Sequence, residues 1–216
     1  MINLQTKIFI FILLSFFVNV IFVFAGDDAE TIIKKLQKKY DSIKDASVTY
    51  VQHVQFGVTK SEQSFTGTLT MKKGNKYRIE MEQQTIVTDG KSVWSLSKAN
   101  NQVLIDKFRE DPKSFSIDKI FMNLPANYNA ALIGKEKFGK NEVSILKLTP
   151  KKDKVNFKWM KVWIDTDDYI MKKIQILENS DNLITYTLNE IKINQNVSDS
   201  IFQYVVPNGI EVIDLR

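Results

Sequence analysis

Strict alternation of apolar and polar side chains is the clearest pattern in this chain. Between Phe65 and Met81 the large apolar groups occupy odd positions, and mostly polar groups stand between them. The apolar members are Phe65, Leu69, Met71, Tyr77, Ile79 and Met81. Because successive side chains of a β-strand point to opposite faces, this spacing predicts strands with one apolar face. From alternation alone, that face would form ordinary protein core.

Residues of high β-propensity predict further strands along much of the remaining chain. The predicted segments are 46–55, 85–88, 93–96, 102–106, 143–149, 157–165, 171–177 and 183–193, with a final short strand after Gly209. Turn residues such as Asn and Asp join most of these segments. Many short antiparallel strands at this spacing are typical of a barrel or a sandwich.

Two segments have helical periodicity instead. In 28–44 the apolar residues recur at spacings of three and four, behind Asp27 or Asp28 as the N-cap. In 111–124 the apolar stripe follows Asp111-Pro112, which supply the cap and first turn, and Pro125 ends or bends the helix. The second helix, in the middle of an antiparallel sheet, must pack across an open mouth or an outer face. The apolar stripe of the second helix would be core in most proteins.

The N-terminus predicts a secretory signal peptide. An apolar run over 8–24 follows Lys7 and leads into Val23-Phe24-Ala25, with small residues suited to signal peptidase. We expect cleavage after Ala25, which leaves residues 26–216 as a single domain without an evident linker or repeat. The alternative is a retained membrane anchor, because a run of this length lies at the lower limit for a transmembrane helix.

Composition and motifs give little support for catalysis or nucleic-acid binding. The 216 residues include no cysteine, and 30 basic against 25 acidic side chains give a net charge of +5 without an aromatic and basic platform for nucleic acid. His53 is the single histidine, and no Gly-x-Ser-x-Gly motif occurs. Asp165, Asp167 and Asp168 lack the glycine and closing glutamate of a calcium loop, so we interpret them as a hairpin turn. We therefore expect no enzyme, no metal and no cofactor.

Several short motifs follow one another in an order that resembles the outer-membrane lipoprotein carrier family (LolA). The order and coverage of the motifs are more specific than any one of them. They are Phe65-x-Gly67-x-Leu69, Lys72-Lys73-Gly74, Tyr77-Arg78-Ile79, Asp89-Gly90-Lys91-x-x-Trp94 and the C-terminal Phe202-x-x-x-x-Pro207-x-Gly209-Ile210-x-Val212-Ile213-Asp214.

The resemblance implies a mainly β fold with α: an incomplete, strongly curved antiparallel β-barrel, or half-barrel, closed by helices around an apolar cavity. It implies a periplasmic carrier, expected to be a monomer, that accepts acylated lipoproteins from an inner-membrane ATP-driven release complex and delivers them to an outer-membrane acceptor. The residues expected to line the acyl-binding cavity are Phe65, Leu69, Met71, Tyr77, Ile79, Met81, Trp94, Trp159 and Trp163. The residues expected to form the lid are Phe115, Ile117, Ile120, Phe121 and Leu124.

The sequence departs from the family pattern beside the first motif. Gly74 replaces a common proline, Ile79 replaces a common tryptophan, and Lys73 replaces an arginine that holds the lid shut in the family. Lys73 is therefore a candidate lid latch or partner contact, although a lysine ammonium lacks the planar fork of arginine. Three other functions stay open: a lipid- or lipoprotein-sensing module of the same fold, a structural protein anchored by an uncleaved N-terminus, and an acyl-chain hydrolase.

Overall fold

The computed structural model describes residues 28–109, 128–151 and 156–216. These residues form one α-helix, one short 3₁₀-helix (Asp199–Phe202) and twelve β-strands. The elements are α1 (Ala29–Asp41), β1 (Asp45–Gln55), β2 (Glu62–Lys72), β3 (Lys76–Met81), β4 (Gln84–Asp89), β5 (Ser92–Ser97), β6 (Gln102–Lys107), β7 (Tyr128–Phe138), β8 (Asn141–Pro150), β9 (Phe157–Asp165), β10 (Ile170–Glu178), β11 (Leu183–Ile193) and β12 (Glu211–Asp214).

All twelve strands belong to one sheet that does not close on itself. Their order is β12-β6-β5-β4-β3-β2-β1-β11-β10-β9-β8-β7, so β12 and β7 lie at opposite edges. Every neighbouring pair is antiparallel except β12 and β6, which run parallel. The mainly β, open architecture is therefore as the sequence predicts. The expected second helix, its lid residues and the signal peptide lie outside the described residues.

Helix α1 forms where its apolar periodicity and its caps agree. The side chain of Asp28 accepts a hydrogen bond from the Thr31 backbone N–H at 2.7 Å, which satisfies a donor of the first turn. Lys38 and Lys39 lie in the last turn, where positive charge complements the helix dipole. Ile32 and Leu36 point to the sheet and are each 1% exposed. The helix therefore covers the sheet with its apolar stripe.

The sheet has two faces that differ in what covers them. The helix face carries Val48 on β1, Leu69 on β2 and Ile174 on β10, which share one buried cluster with Ile32 and Leu36 of α1. Along β1 to β4 the register Val48–Leu69–Ile79–Ile86 keeps apolar groups on this face. The core of the protein thus lies between the sheet and α1.

The outer face is opposite and carries Val51, Arg78 and Trp163. The 3₁₀-helix packs on this face against β3 and β4, with Phe202 fully buried. Asp199 at its start accepts from Lys72 Nζ at 2.6 Å and from Lys76 Nζ at 2.8 Å. These contacts fix the C-terminal segment before β12 joins the edge of the sheet.

The sequence pattern does not predict strand β7. Gly134 interrupts the alternation, and Lys135-Glu136-Lys137 place three charged residues in a row. In the structure β7 is an edge strand, and most of its side chains are exposed or half-buried. An edge strand tolerates charges on both faces, because neither face must be fully covered.

Candidate functional site

The helix face carries a large buried apolar cluster, and α1 covers part of it. Besides β1 and β2, the cluster beneath the helix includes Met160 and Ile164 on β9 and Met171 on β10, all of which are almost fully buried. These methionines can adapt to ligands of different shape, because their side chains are unbranched and polarisable.

A pocket of about 100 Å³ lies at the C-terminal end of α1, between the helix and the sheet. Its lining is mainly apolar, from Tyr40, Ile43, Ala46, Val48, Met71, Ile170, Ile191 and Ile193, with Asp41, Lys44, Asp45, Lys72 and Lys73 completing it. Sites for drug-sized ligands usually measure about 300–1,000 Å³. A long acyl chain therefore needs more room than this pocket offers while α1 lies on the sheet.

Lys73 connects the end of α1 to the turn between β2 and β3. Its Nζ donates to the carbonyl oxygen of Asp41, the last residue of the helix, at 2.6 Å. Its backbone N–H donates to the carbonyl of Lys44 at 3.0 Å. The last carbonyls of a helix lack partners within the helix and carry partial negative charge, so a cation is favourable there. Lys73 thus contacts helix backbone at the rim of the pocket.

The alternating residues of β2 and β3 predicted to line a cavity all lie on the helix face. Leu69 is fully buried, and Met71 and Ile79 are each 7% exposed. Tyr77 and Met81 are partly buried against the same cluster. Phe65 lies on this face near the start of β2 and is 43% exposed, so it is distant from the covered centre.

The three tryptophans lie on the outer face, away from these residues. Trp94 pairs with Val87, which in turn pairs with Arg78. Trp159 and Trp163 alternate along β9 with residues that belong to the core cluster. Because both parities of β9 carry large apolar groups, side-chain size alone does not identify the inward face.

Sequence reasoning missed several residues of the helix face. The sequence analysis places Ile32 and Leu36 in a helix and the inward residues of β9 and β10 in strands. It does not identify any of them as site residues. The signal is present in the helical stripe and in the alternation Met160, Val162, Ile164. Tyr40 also lies here: burial raises the pKa of its hydroxyl, while a hydrogen bond with the Met171 backbone acts in the opposite direction.

The described part of the chain offers two further observations. It contains no group of three or more His, Asp or Glu side chains placed to hold a metal ion. None of its helices is long and apolar enough to span a membrane.

Together, an open antiparallel sheet and an amphipathic helix on its apolar face define a class of single-sheet proteins that can enclose apolar groups between sheet and helix. The family model described as "Outer membrane lipoprotein carrier protein LolA" matches residues 41–205. The chain therefore belongs to the LolA family, as its motifs indicate.

Relatives with a curated name agree with this assignment. The "Outer-membrane lipoprotein carrier protein" of Histophilus somni (strain 129Pt) is 25% identical over 187 residues, which cover 85% of this chain and 88% of the relative. The protein of the same name from Pasteurella multocida (strain Pm70) is 25% identical over 197 residues, covering 84% of this chain and 86% of the relative. An uncharacterized conserved protein from Thermus thermophilus has a similar fold, with a TM-score of 0.58, 15% identity and coverage of 86% of this chain and 98% of that chain.

Proposed function

We propose that this protein is a noncatalytic periplasmic carrier, which binds the acyl chains of lipoproteins released from the inner membrane and transports them to the outer membrane. The observation that carries the proposal is the apolar helix face in a chain of the LolA family. In this proposal residues 26–216 form the mature carrier, which acts as a monomer. An inner-membrane ATP-driven release complex supplies the lipoprotein, and an outer-membrane acceptor receives it.

The helix face has the chemistry that acyl transport requires. Each methylene withdrawn from water is worth about 0.8 kcal/mol, so one sixteen-carbon chain is worth on the order of 12 kcal/mol. Leu69, Met71, Tyr77, Ile79 and Met81 supply a continuous apolar surface on β2 and β3. We assign the acyl chain to this surface rather than to the tryptophans on the outer face.

Helix α1 makes the bound state reversible. Ile32 and Leu36 occupy the helix face in this structure, and burying each is worth about 1.5–3 kcal/mol. An entering acyl chain must displace these side chains, so the cost of opening offsets part of its burial energy. The proposed lid, with Phe115, Ile117, Ile120, Phe121 and Leu124, would add to this competition. Binding and release can then be close to balance.

Lys73 is the proposed latch of the closed state. Its hydrogen bond to the Asp41 carbonyl ends when α1 leaves the sheet. A single ammonium offers fewer directed donors than the guanidinium usual in the family, so one bond rather than a fork holds the helix end. We therefore propose a weaker closure than in members that have arginine.

The test is transfer of a labelled lipoprotein. Purified mature protein is added to spheroplasts that synthesise the lipoprotein, and the soluble fraction is examined for a one-to-one complex. We expect release with the natural chain and with Val51→Asp on the outer face. We expect little release with Met81→Asp, which places a charge on the helix face.

The outcome has a clear alternative. If a known carrier releases the lipoprotein in the same preparation and this protein does not, transport of that cargo is contradicted. Binding of an acylated probe without release would then favour the lipid-sensing module. Equal release by Met81→Asp and Val51→Asp would remove the helix face from the proposal, provided that both variants melt cooperatively.

A further inference from the structure

The outer face of β8, β9 and β10 carries lysines stacked on tryptophan rings. Lys161 Nζ lies 4.9 Å from the ring centroid of Trp159, and Lys147 Nζ lies 5.9 Å from the same centroid. Lys173 Nζ lies 4.4 Å from the ring centroid of Trp163. These distances are within the range of cation–π attraction. The rings therefore hold three ammonium groups on three consecutive strands, a surface that we call the Lys–Trp patch.

The arrangement of charges in the Lys–Trp patch is unfavourable for the isolated protein. Lys147 and Lys161 are direct cross-strand partners, and like charges directly opposite one another destabilise a sheet. The next partner along this row is Gln175, followed by Thr185 on β11 and His53 on β1. No carboxylate in this row can neutralise the lysines.

The adjacent row is equally free of acidic groups. It runs Ile145, Trp163, Lys173, Thr187 and Val51 across β8, β9, β10, β11 and β1. Asp165 lies farther along β9, but it is fully buried, accepts from Asn141 and pairs with Lys172. Along these two rows, the described residues therefore place no carboxylate opposite the three lysines.

We propose that the Lys–Trp patch docks the protein on the surface of a membrane that contains anionic phospholipids. Three ammonium groups on neighbouring strands, about 4.8 Å apart in the sheet, fit the dense and interchangeable phosphates of such a surface. The side chains that anchor protein interfaces usually fill well-packed pockets. Trp163 is only 6% exposed and lies beneath Lys173, so the patch offers charge rather than a pocket.

Docking through this face leaves the helix face accessible, because the two faces are on opposite sides of the sheet. This rests on the proposed carrier function, since a carrier must approach membranes and leave them again. Attraction to an anionic surface weakens within a Debye length of about 8 Å at physiological salt. The interaction is therefore short-ranged and readily reversible, as a shuttling protein requires.

The experiment measures co-sedimentation of the mature protein with two kinds of vesicle. One is pure phosphatidylcholine, and in the other about a third of the lipid is phosphatidylglycerol. We expect binding to the anionic vesicles only, reduced by added salt. Each lysine near an anionic surface contributes about fivefold, so Lys147→Gln, Lys161→Gln and Lys173→Gln together should weaken binding on the order of 100-fold.

A matched control carries the same change of net charge elsewhere. Lys38→Gln, Lys107→Gln and Lys140→Gln remove three exposed lysines outside the patch, and this variant should retain most of the binding. The triple arginine variant of the patch should also bind, which guards against loss of binding through misfolding. Equal weakening by both glutamine variants, or equal binding of the natural chain to both vesicles, would overturn the proposal. Binding of an acylated probe to the helix face is measured separately and should be unaffected by the patch variants.

Discussion

At the scale of single residues, Lys73 is the contact on which the proposed closure most directly depends. Replacing Lys73 with Met removes its hydrogen bond to Asp41, and we expect faster amide hydrogen exchange in the second half of α1. The loss of stability should be small, about 0.5 kcal/mol, because the ammonium is exposed. Lys73→Arg should keep the exchange slow.

Lys98 provides the control for this prediction. Its Nζ also donates to a backbone carbonyl, that of Met81 at 3.3 Å, but it does not contact α1. Lys98→Met should therefore leave exchange in α1 unchanged. If Lys73→Met and Lys98→Met give the same exchange in α1, Lys73 does not hold the helix end.

Asp199 makes stability depend on pH at the acidic end of the range. Hydrogen bonds from Lys72 and Lys76 lower the pKa of Asp199 to about 2 from an ordinary value of 3.8. The folded state therefore prefers the carboxylate. The stabilisation is fully present above pH 3.8 and is lost as pH falls through about 2. We expect Asp199→Asn to lower the melting temperature at neutral pH, with a smaller difference from the natural chain near pH 2.

Asp214 serves as a control for Asp199, because its pKa is lowered to a similar value but it lies elsewhere in the fold. Arg216, two residues away, also lowers the pKa of Asp214 to about 2. That pair joins neighbouring residues at the C-terminus, whereas Asp199 joins the 3₁₀-helix to β2 and β3. Asp214→Asn should lower the melting temperature less than Asp199→Asn. The reverse order would show that the 3₁₀-helix does not depend on Asp199.

At the scale of elements, the close packing of β1 on β2 depends on Gly67. A Cβ atom at this position would lie 2.5 Å from Tyr50 Oη and 3.0 Å from the Glu80 carbonyl oxygen. Tyr50 is 3% exposed and packs edge-on against Tyr186, so it has little room to move. We expect Gly67→Ala to lower the free energy of unfolding by about 1–3 kcal/mol, as measured in urea.

Gly134 on β7 is the matched control, because a Cβ atom there would meet nothing within 4 Å. Gly134→Ala should be neutral or slightly stabilising, since alanine restricts the unfolded chain more than glycine does. A loss of stability at Gly134 as large as that at Gly67 would indicate that propensity, rather than the contact with Tyr50, sets the cost.

The elements that the sequence predicts are those whose burial is one-sided. Helix α1 and strands such as β2 and β3 each bury only one of their faces. Their apolar residues therefore recur with the period of a helix or a strand, which the sequence shows directly. Strand β7 lies at the edge of the sheet and buries neither face fully, so its alternation of apolar and polar residues is weak. The six alternating residues of β2 and β3 lie together on one face for the same reason.

The positions of the tryptophans could not be predicted from local sequence patterns. On β9, Trp163 and its neighbours Val162 and Ile164 are all buried, so the sequence offers two apolar faces of similar quality. The register with β8 and β10 decides between them, and it depends on bulges such as the one between Met171 and Lys173. The contact of Lys73 with Asp41 likewise depends on where α1 ends above the sheet. Such information is tertiary rather than local.

At the scale of the whole molecule, the same apolar face serves the stability of the empty protein and the proposed binding of cargo. Ile32 and Leu36 are core residues while α1 lies on the sheet. In the proposed mechanism an acyl chain would compete with them for that place. In the proposed carrier, binding of the acyl ligand therefore shifts α1 away from the sheet. The pocket at the end of α1, about 100 Å³, is too small for a long acyl chain while α1 lies on the sheet.

This competition predicts that α1 leaves the sheet when an acyl ligand binds. The chain contains no cysteine, so a single introduced thiol reports one position. Leu36 is 1% exposed, and Leu36→Cys should react slowly with a thiol reagent in the empty protein. With saturating fatty acid it should react several-fold faster, because the helix then exposes its apolar stripe.

Ile174→Cys on β10 supplies the contrast. Ile174 is fully buried on the helix face. When α1 leaves, the bound ligand should shield this position instead of the helix. The thiol at position 174 should therefore react slowly with and without ligand. In the double variant Leu36→Cys, Lys73→Met, the thiol reaction should become faster at lower ligand concentrations than in Leu36→Cys alone. The reason is that the end of α1 is no longer held by Lys73. If Leu36→Cys stays protected while the ligand is bound, α1 does not leave the sheet, and the competition between α1 and the acyl chain is contradicted. If Leu36→Cys stays protected and lipoprotein release is nevertheless normal, the acyl chain enters a part of the helix face that α1 does not cover. The proposed carrier function would then stand.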